Sequence, residues 1–194
     1  MRSQLAVVKV GGSLLVQPRF VERLQSWVRN FAERQAPVHV VLIVGGGPLV
    51  DGLRAIDCAN AIAVEQAHWT AIRLMETNAE LLAAWWPEVV RICSLAELQR
   101  ATKSAGVSLF CVEAFLRRDE PNLPGRPLPS SWEATSDSIA ARLAEILAAE
   151  WLVLLKAAPI ALPGDWQEAA ERGEVDLFFP QIACRLANVR LSYL

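Results

Sequence analysis

Only three lysines stand among the 19 basic residues of the chain, and two of them occupy places where a charge is costly. Lys9 lies inside "AVVKVGGSLL" and Lys156 ends "WLVLLK", so each closes an apolar run that reads as a buried strand. A strongly hydrated ammonium enters such a strand only with compensation. Gly11, Gly12 and Ser13 follow Lys9 closely. Consecutive glycine amides form an anion-binding nest, and a neighbouring lysine adds a mobile full charge. That combination suits a phosphate; the plainer alternative is a strand end with a snorkelling lysine and an ordinary turn.

Gly45, Gly46 and Gly47 close a second apolar run, "VHVVLIV" (38–44). No GK[ST] follows, as a P-loop requires, and Val50 stands where a dinucleotide fingerprint needs its third glycine. Three successive glycines still imply either close approach of a ligand or a tight structural turn. Asp137, in "TSDS", falls in the first turn of a helix. A carboxylate there either caps the helix or orients the two lysines. His68 lies inside a long helix, as a core histidine or as a ligand contact.

The elements that must position these residues alternate between strand and helix. "AVVKV" leads to a helix over 17–34 with Pro18 in its first turn and Phe20, Leu24, Trp27, Val28 and Phe31 at helical spacing. The run 38–44 is apolar without alternation, as in a strand covered on both faces. A helix opens at Pro48, and a long one covers about 64–85. "EVVRIC" and "VSLFCV" read as strands on either side of the helix "LAELQRAT". "RRDEPNLPGRPLPSSW" holds four of the eleven prolines and reads as an irregular excursion whose "RRDEP" is solvated. "TSDSIAARLAEILAAE" forms a helix, "WLVLLK" a strand, and short helices near Asp165 and Pro180 precede a closing strand "VRLSYL". The pattern predicts an α/β fold with a mainly parallel sheet between helical layers, whose ligands bind beyond the carboxyl ends of the strands. Lys9, the 45–47 glycines and Lys156 all lie at such ends.

Hydrophobic residues make up 53% of the 194, and 21% are charged, which predicts a substantial core. A net charge of −2 argues against a general nucleic-acid binder. No apolar run is long enough to span a membrane, and the N-terminal stretch is too short for a signal-peptide core. Cys58, Cys93, Cys111 and Cys184 form no metal-binding cluster and read as small buried hydrophobes in a reducing cytoplasm. Trp85 and Trp86, at a helix end, suggest a partly apolar surface that another subunit could cover.

Taken in order, "VVKVGGSLL", "VLIVGGGPLVDGLR" and "WEATSDSIAARLAEILAAEWLVLLK" resemble the amino acid kinase superfamily of aspartate, glutamate and uridylate kinases. The resemblance runs over nearly the whole chain. "GGGPLVDGLRAID", "AHWTAI" and "SWEATSDSIAA" are most similar to a short branch linked to methanofuran and tetrahydromethanopterin cofactors, which includes a kinase acting on an aminomethylfuran phosphate. The resemblance implies a three-layer α/β/α sandwich, one domain over 1–194, and a homo-oligomer. It implies transfer of the γ-phosphoryl of ATP, with Mg2+, to a small acceptor, most simply a phosphate monoester.

By match of motif, Lys9 touches the transferring phosphate, and Gly11, Gly12 and Ser13 supply the donors around it. Gly45, Gly46 and Gly47 lie along the acceptor, and Asp137 holds the active-site lysines. Lys156 falls at the start of the nucleotide loop. The superfamily's "TxVDGVY"-like loop is replaced here by "AAPIALPGDW", where Gly164 and Asp165, or else Val175 and Asp176, stand in for it. Arg54 is the expected grip on the acceptor's phosphate and His68 the contact at its other end. No residue is assigned as a metal ligand. The alternatives are a non-catalytic member of the fold that binds a phosphorylated metabolite or a partner protein, and a Rossmann-type oxidoreductase.

Overall fold

The structure, a computed structural model, describes residues 3–158 and 165–194. Its centre is a six-stranded sheet in the order β3-β4-β2-β1-β5-β6, with every described ladder parallel. The strands are β1 (Gln4–Val10), β2 (Val38–Val44), β3 (Val90–Ile92), β4 (Gly106–Phe110), β5 (Trp151–Lys156) and β6 (Val189–Tyr193). Helices α1 (Phe20–Arg34), α2 (Gly47–Ala59), α3 (Val64–Trp85) and α4 (Leu95–Ala101) occur in the first half. The short α5 (Val112–Ala114) runs into a π-helical segment, Phe115–Asp119, and a 3-10 turn, Glu120–Asn122. Then come α6 (Ser136–Ile146), α7 (Trp166–Glu171) and α8 (Phe179–Ala183).

All seven residues of β2 are buried, which is why its sequence shows no polar alternation. Alternate residues of each strand still face opposite layers. Ala6, Val8 and Val10 of β1 pack with Phe20, Leu24 and Val28 of α1. Leu5 and Val7 face the other layer, with Ile139, Ala140 and Leu143 of α6. Lys9 shares the parity of Leu5 and Val7, so it must point to the α6 layer. The same count along β5 sends Lys156 there with Leu152 and Leu154. Because Lys9 pairs with Leu154, the second lysine stands two residues farther toward the carboxyl edge of the neighbouring strand. After β1 the chain sets β2 beside it, runs to the edge for β3 and back inward for β4, then crosses to the opposite side of β1 for β5. The reversal of strand order around β1 opens the crevice in which such sheets bind ligands.

Several local expectations are corrected. Pro18 lies before α1, whose flank at Arg19 adopts left-handed φ 55°, so the helix starts at Phe20. The "RRDEP" stretch is not wholly solvated. Glu120 is buried against Arg142, with Glu120 Oε1 accepting from Nε at 2.9 Å, and Arg117 stacks over Trp69 at 3.8 Å. Of the four cysteines only Cys111 is buried; Cys58, Cys93 and Cys184 are exposed. Trp86 is buried against the α1 layer, leaving Trp85 as the exposed tryptophan of the pair. Among the described residues no helix is long and apolar enough to cross a membrane.

Candidate functional site

Lys9 and Lys156 converge on one carboxylate. Lys9 Nζ lies 2.9 Å from Asp137 Oδ1, and Lys156 Nζ lies 3.1 Å from Asp137 Oδ2. All three side chains are largely buried, and Lys156 Nζ also donates to the Glu174 carbonyl at 2.8 Å. Asp137 makes no capping bond to its own helix, so of the two roles open to it the geometry realises the bridge between lysines. Burial alone pushes its carboxyl upward. The charges and hydrogen bonds of Lys9 and Lys156 together outweigh that and hold it below the ordinary carboxylate range. Burial, and then Lys9, push the Lys156 ammonium below the usual lysine value, against the pull of Asp137.

Two ammoniums against one carboxylate leave the cluster with a net charge of +1. The Asp176 carboxylate nearby adds electrostatic support for the Lys156 ammonium.

The end of α6 that presents Asp137 is held from far away in sequence. Asp176 accepts from the backbone N–H of Thr135 (2.9 Å), Ser138 (3.0 Å) and Phe179 (3.0 Å) and from the hydroxyls of Thr135 and Ser138. It therefore satisfies orphan donors of the α6 N-terminus that no residue of "TSDS" caps itself. Burial first, and Asp137 second, push the Asp176 carboxyl upward, and those hydrogen bonds oppose the rise. Asp165 is occupied as the N-cap of α7, accepting from Glu168 N–H at 2.8 Å. Gly164 lies outside the described residues.

The glycines bring two turns into contact beside Lys9. A methyl group on Gly12 would stand 2.2 Å from Gly47 N and 2.5 Å from Gly45 O, so only glycine permits this crossing. Gly47 itself has φ +50°. A methyl on Gly45 would stand 2.9 Å from Ser136 Oγ, 3.2 Å from Gly12 N and 3.2 Å from Lys9 Cε. Gly45 is therefore the point where both turns, α6 and the lysine meet. Gly11 continues the β1–β5 ladder, donating to Leu155 O at 2.9 Å, and Ser13 is exposed in the 3-10 turn that follows, Gly12–Val16. Among the described residues the amides of Gly12, Ser13, Gly46 and Gly47 have no hydrogen-bond acceptor. Sequence reading missed Asn78 of α3, whose carboxamide donates to Gly45 O and to Gly46 O, each at 2.8 Å.

Beyond Gly46 and Gly47 lies a cavity of about 140 Å³. Val50, Ala71, Ile72 and Met75 give it apolar walls, while Arg54, His68, Trp132 and Ser136 supply polar or aromatic ones. Arg54 reaches it from α2, with its guanidinium 4.8 Å from the Trp132 ring centre. Trp132 is in turn anchored by Nε1 donating to Asp57 Oδ2 at 2.9 Å. His68 is buried in the wall, and burial first, with a smaller contribution from Arg117, pushes its imidazole below the ordinary histidine value against the opposing pull of the Ser131 backbone. The structure thus brings Lys9, Asp137 and Lys156 together beside the two glycine turns, and Gly46 and Gly47 of the second turn line the cavity that Arg54 and His68 share.

The donor set fits a polyphosphate. It offers two converging ammoniums, unpaired backbone amides, and glycine surfaces that a phosphate can approach closely. Among the described residues no group of three or more His, Cys, Asp or Glu could hold a metal ion. A Mg2+ accompanying such a ligand would take its oxygens chiefly from phosphate and water.

Residues 4–159 match the model of the amino acid kinase family. A uridylate kinase from Methanocorpusculum labreanum is 28% identical over 178 residues, covering 90% of this chain and 69% of its own. A UMP kinase structure from Ureaplasma parvum superposes with a TM-score of 0.69 at 16% identity, over 100% of this chain and 90% of its own. The uridylate kinase structure from Archaeoglobus fulgidus gives 0.64 at 19% identity, over 99% and 91%. At these identities the structural likeness speaks for the fold.

Proposed function

Because the chain belongs to the amino acid kinase family, we propose that this kinase transfers the γ-phosphoryl of MgATP to the phosphate of a small phosphomonoester, yielding a diphosphate. The observation that carries the reading is the buried Lys9–Asp137–Lys156 cluster with its charge of +1 beside the crossed glycine turns. An acceptor phosphate oxygen attacks the γ-phosphorus, the bond to the ADP oxygen breaks, and negative charge spreads over the transferring oxygens. Lys9 and the Gly12 amide stabilise that charge, and Lys156 holds the nucleotide phosphates. Mg2+, when bound, neutralises part of the polyphosphate charge.

A phosphate monoester is mostly dianionic at neutral pH, its second pKa being about 6. The reaction therefore needs no carboxylate base, and Asp137 is free to remain bound by both lysines. Arg54, at the cavity rim, is the planar donor for the acceptor's own phosphate, and His68 meets its other end. Support for a phosphomonoester comes from the relative named a uridylate kinase. The sequence's branch resemblance points within that class to aminomethylfuran phosphate. A homo-oligomer is part of the same reading, with Leu81 and Trp85 (40% and 47% exposed) one turn apart on α3 as the face to be covered.

Purified protein assayed for ADP release with aminomethylfuran phosphate, UMP, aspartate, glutamate and carbamate tests the proposal. Turnover on a phosphomonoester is expected, falling roughly 10²-fold in Lys9→Ala, the scale of losing one preorganised donor. Arg54→Ala raises the acceptor KM. Turnover on an amino acid alone, or an unchanged KM in Arg54→Ala, overturns it. A monomer by light scattering at micromolar concentration contradicts the oligomer.

A further inference from the structure

Asn78 is 3% exposed, lies in the middle of α3, and spends both of its amide hydrogens on two successive carbonyls of the 45–47 turn. Each peptide unit is planar and trans, so its C=O and N–H point in opposite directions. Drawing the carbonyls of Gly45 and Gly46 toward α3 therefore turns the N–H groups of Gly46 and Gly47 the other way. Gly12 packs against this turn, Lys9 lies beside Gly45, and Gly46 and Gly47 line the adjoining cavity. Those two N–H groups have no acceptor among the described residues. Without the Asn78 grip, the nearby Lys9 ammonium would attract a carbonyl oxygen of this glycine turn. A flipped peptide would then present acceptors instead of donors to any anion in the crevice.

We propose that Asn78 is a positioning residue that aims the Gly46 and Gly47 amides at phosphate oxygens in the crevice beside Lys9. The inference rests on the kinase reading for the presence of phosphate, and not on which acceptor is used. The same helix lines the acceptor cavity with His68, Ala71, Ile72 and Met75, so one rigid element sets both the cavity wall and the direction of the donors.

The protein has ten glycines, so a spectrum of 15N-glycine-labelled protein resolves the amides in question. MgATP and, separately, inorganic phosphate are titrated into wild type, Asn78→Asp and Asn78→Leu. The first variant is isosteric and sets a carboxylate against two carbonyls; the second removes the donors at similar volume. In the wild type the Gly46 and Gly47 resonances move with MgATP or phosphate. In both variants they stop responding while Gly11 and Gly12 still shift. Turnover on the best phosphomonoester of the panel drops roughly 10²-fold, the cost of misplacing a reacting geometry, with KM for MgATP within about threefold.

Wild-type Gly46 and Gly47 amides that ignore both probes overturn the proposal, even if neither variant folds. If Gly11 and Gly12 respond and those two do not, only the role of Asn78 falls. If MgATP moves no glycine amide, the kinase reading falls with it. Undiminished kcat in folded Asn78→Leu also refutes the proposal, because a packing role alone would survive that change.

Discussion

Asp137→Asn is the most informative single change, because the carboxylate is the common partner of two buried ammoniums. Side-chain exposures are 8% for Lys9, 7% for Asp137 and 14% for Lys156, so solvent screens little of their interaction. Removing one partner of a buried ion pair costs about 3–5 kcal/mol. For a domain of this size each kcal/mol lowers Tm by roughly 2–4 °C, so the variant should melt about 6–20 °C below wild type at pH 7.

The deficit depends on pH. Burial and Lys9 already hold Lys156 below its ordinary value, and deleting Asp137 removes the main upward influence. A lysine whose folded pKa lies below its unfolded one weakens the fold while it is protonated. The penalty is full below the folded pKa and vanishes above the unfolded value of 10.5. The Tm gap between variant and wild type should therefore narrow as pH is raised from 7 toward 10. Millimolar MgATP should also narrow it at pH 7, since a polyphosphate replaces the lost negative charge. Scanning calorimetry at several pH values, with and without MgATP, reads all three effects. An Asp137→Asn protein that melts with wild type at pH 7 refutes the energetic coupling of the cluster. A variant that melts low yet keeps wild-type turnover refutes its catalytic use.

Gly12→Ala places its methyl against three backbone atoms that cannot yield, and should cost at least about 2 kcal/mol in urea unfolding. Gly52→Ala in α2, with nothing within 4 Å, should instead stabilise by about 0.5–1 kcal/mol, and equal effects at the two sites would contradict the crossed-turn geometry. Arg142→Met strands Glu120, whose side chain is only 3% exposed, and should cost about 3–5 kcal/mol, much of it recovered on adding Glu120→Gln. No recovery in the double variant would mean that packing, not charge, sets the loss. His39 and His68 are both held below the ordinary 6.5, chiefly by burial, so the folded state resists their protonation. Stability is unaffected well above pH 6.5 and is lost as pH falls through and below it. The slope of Tm against pH in that window should flatten in a His39→Gln/His68→Gln protein, whatever its absolute Tm.

Much of this architecture was legible in the chain itself. Apolar runs of strand length and the glycines that end them placed β1, β2 and β5 and the crevice beyond them. Those are local properties, decided by a few residues' steric and hydration preferences. That Lys9 and Lys156 share a face needed the β1–β5 register as well, in which Lys9 pairs with Leu154. The partners were not local. Asp137 could cap its helix or bridge two lysines, and the choice fell to the bridge because Asp176, 41 residues after Thr135, already satisfies the helix end. Glu120 reads as a loop acid until Arg142 is packed over it. Asn78 looks like any polar residue on a long helix, with no short-range pattern to mark it. Its meaning appears only when α3 crosses the 45–47 turn and its carboxamide meets two carbonyls 33 and 32 residues away. Periodicity and turn chemistry write themselves into neighbouring residues, whereas a buried polar group's partner is decided by how distant elements pack.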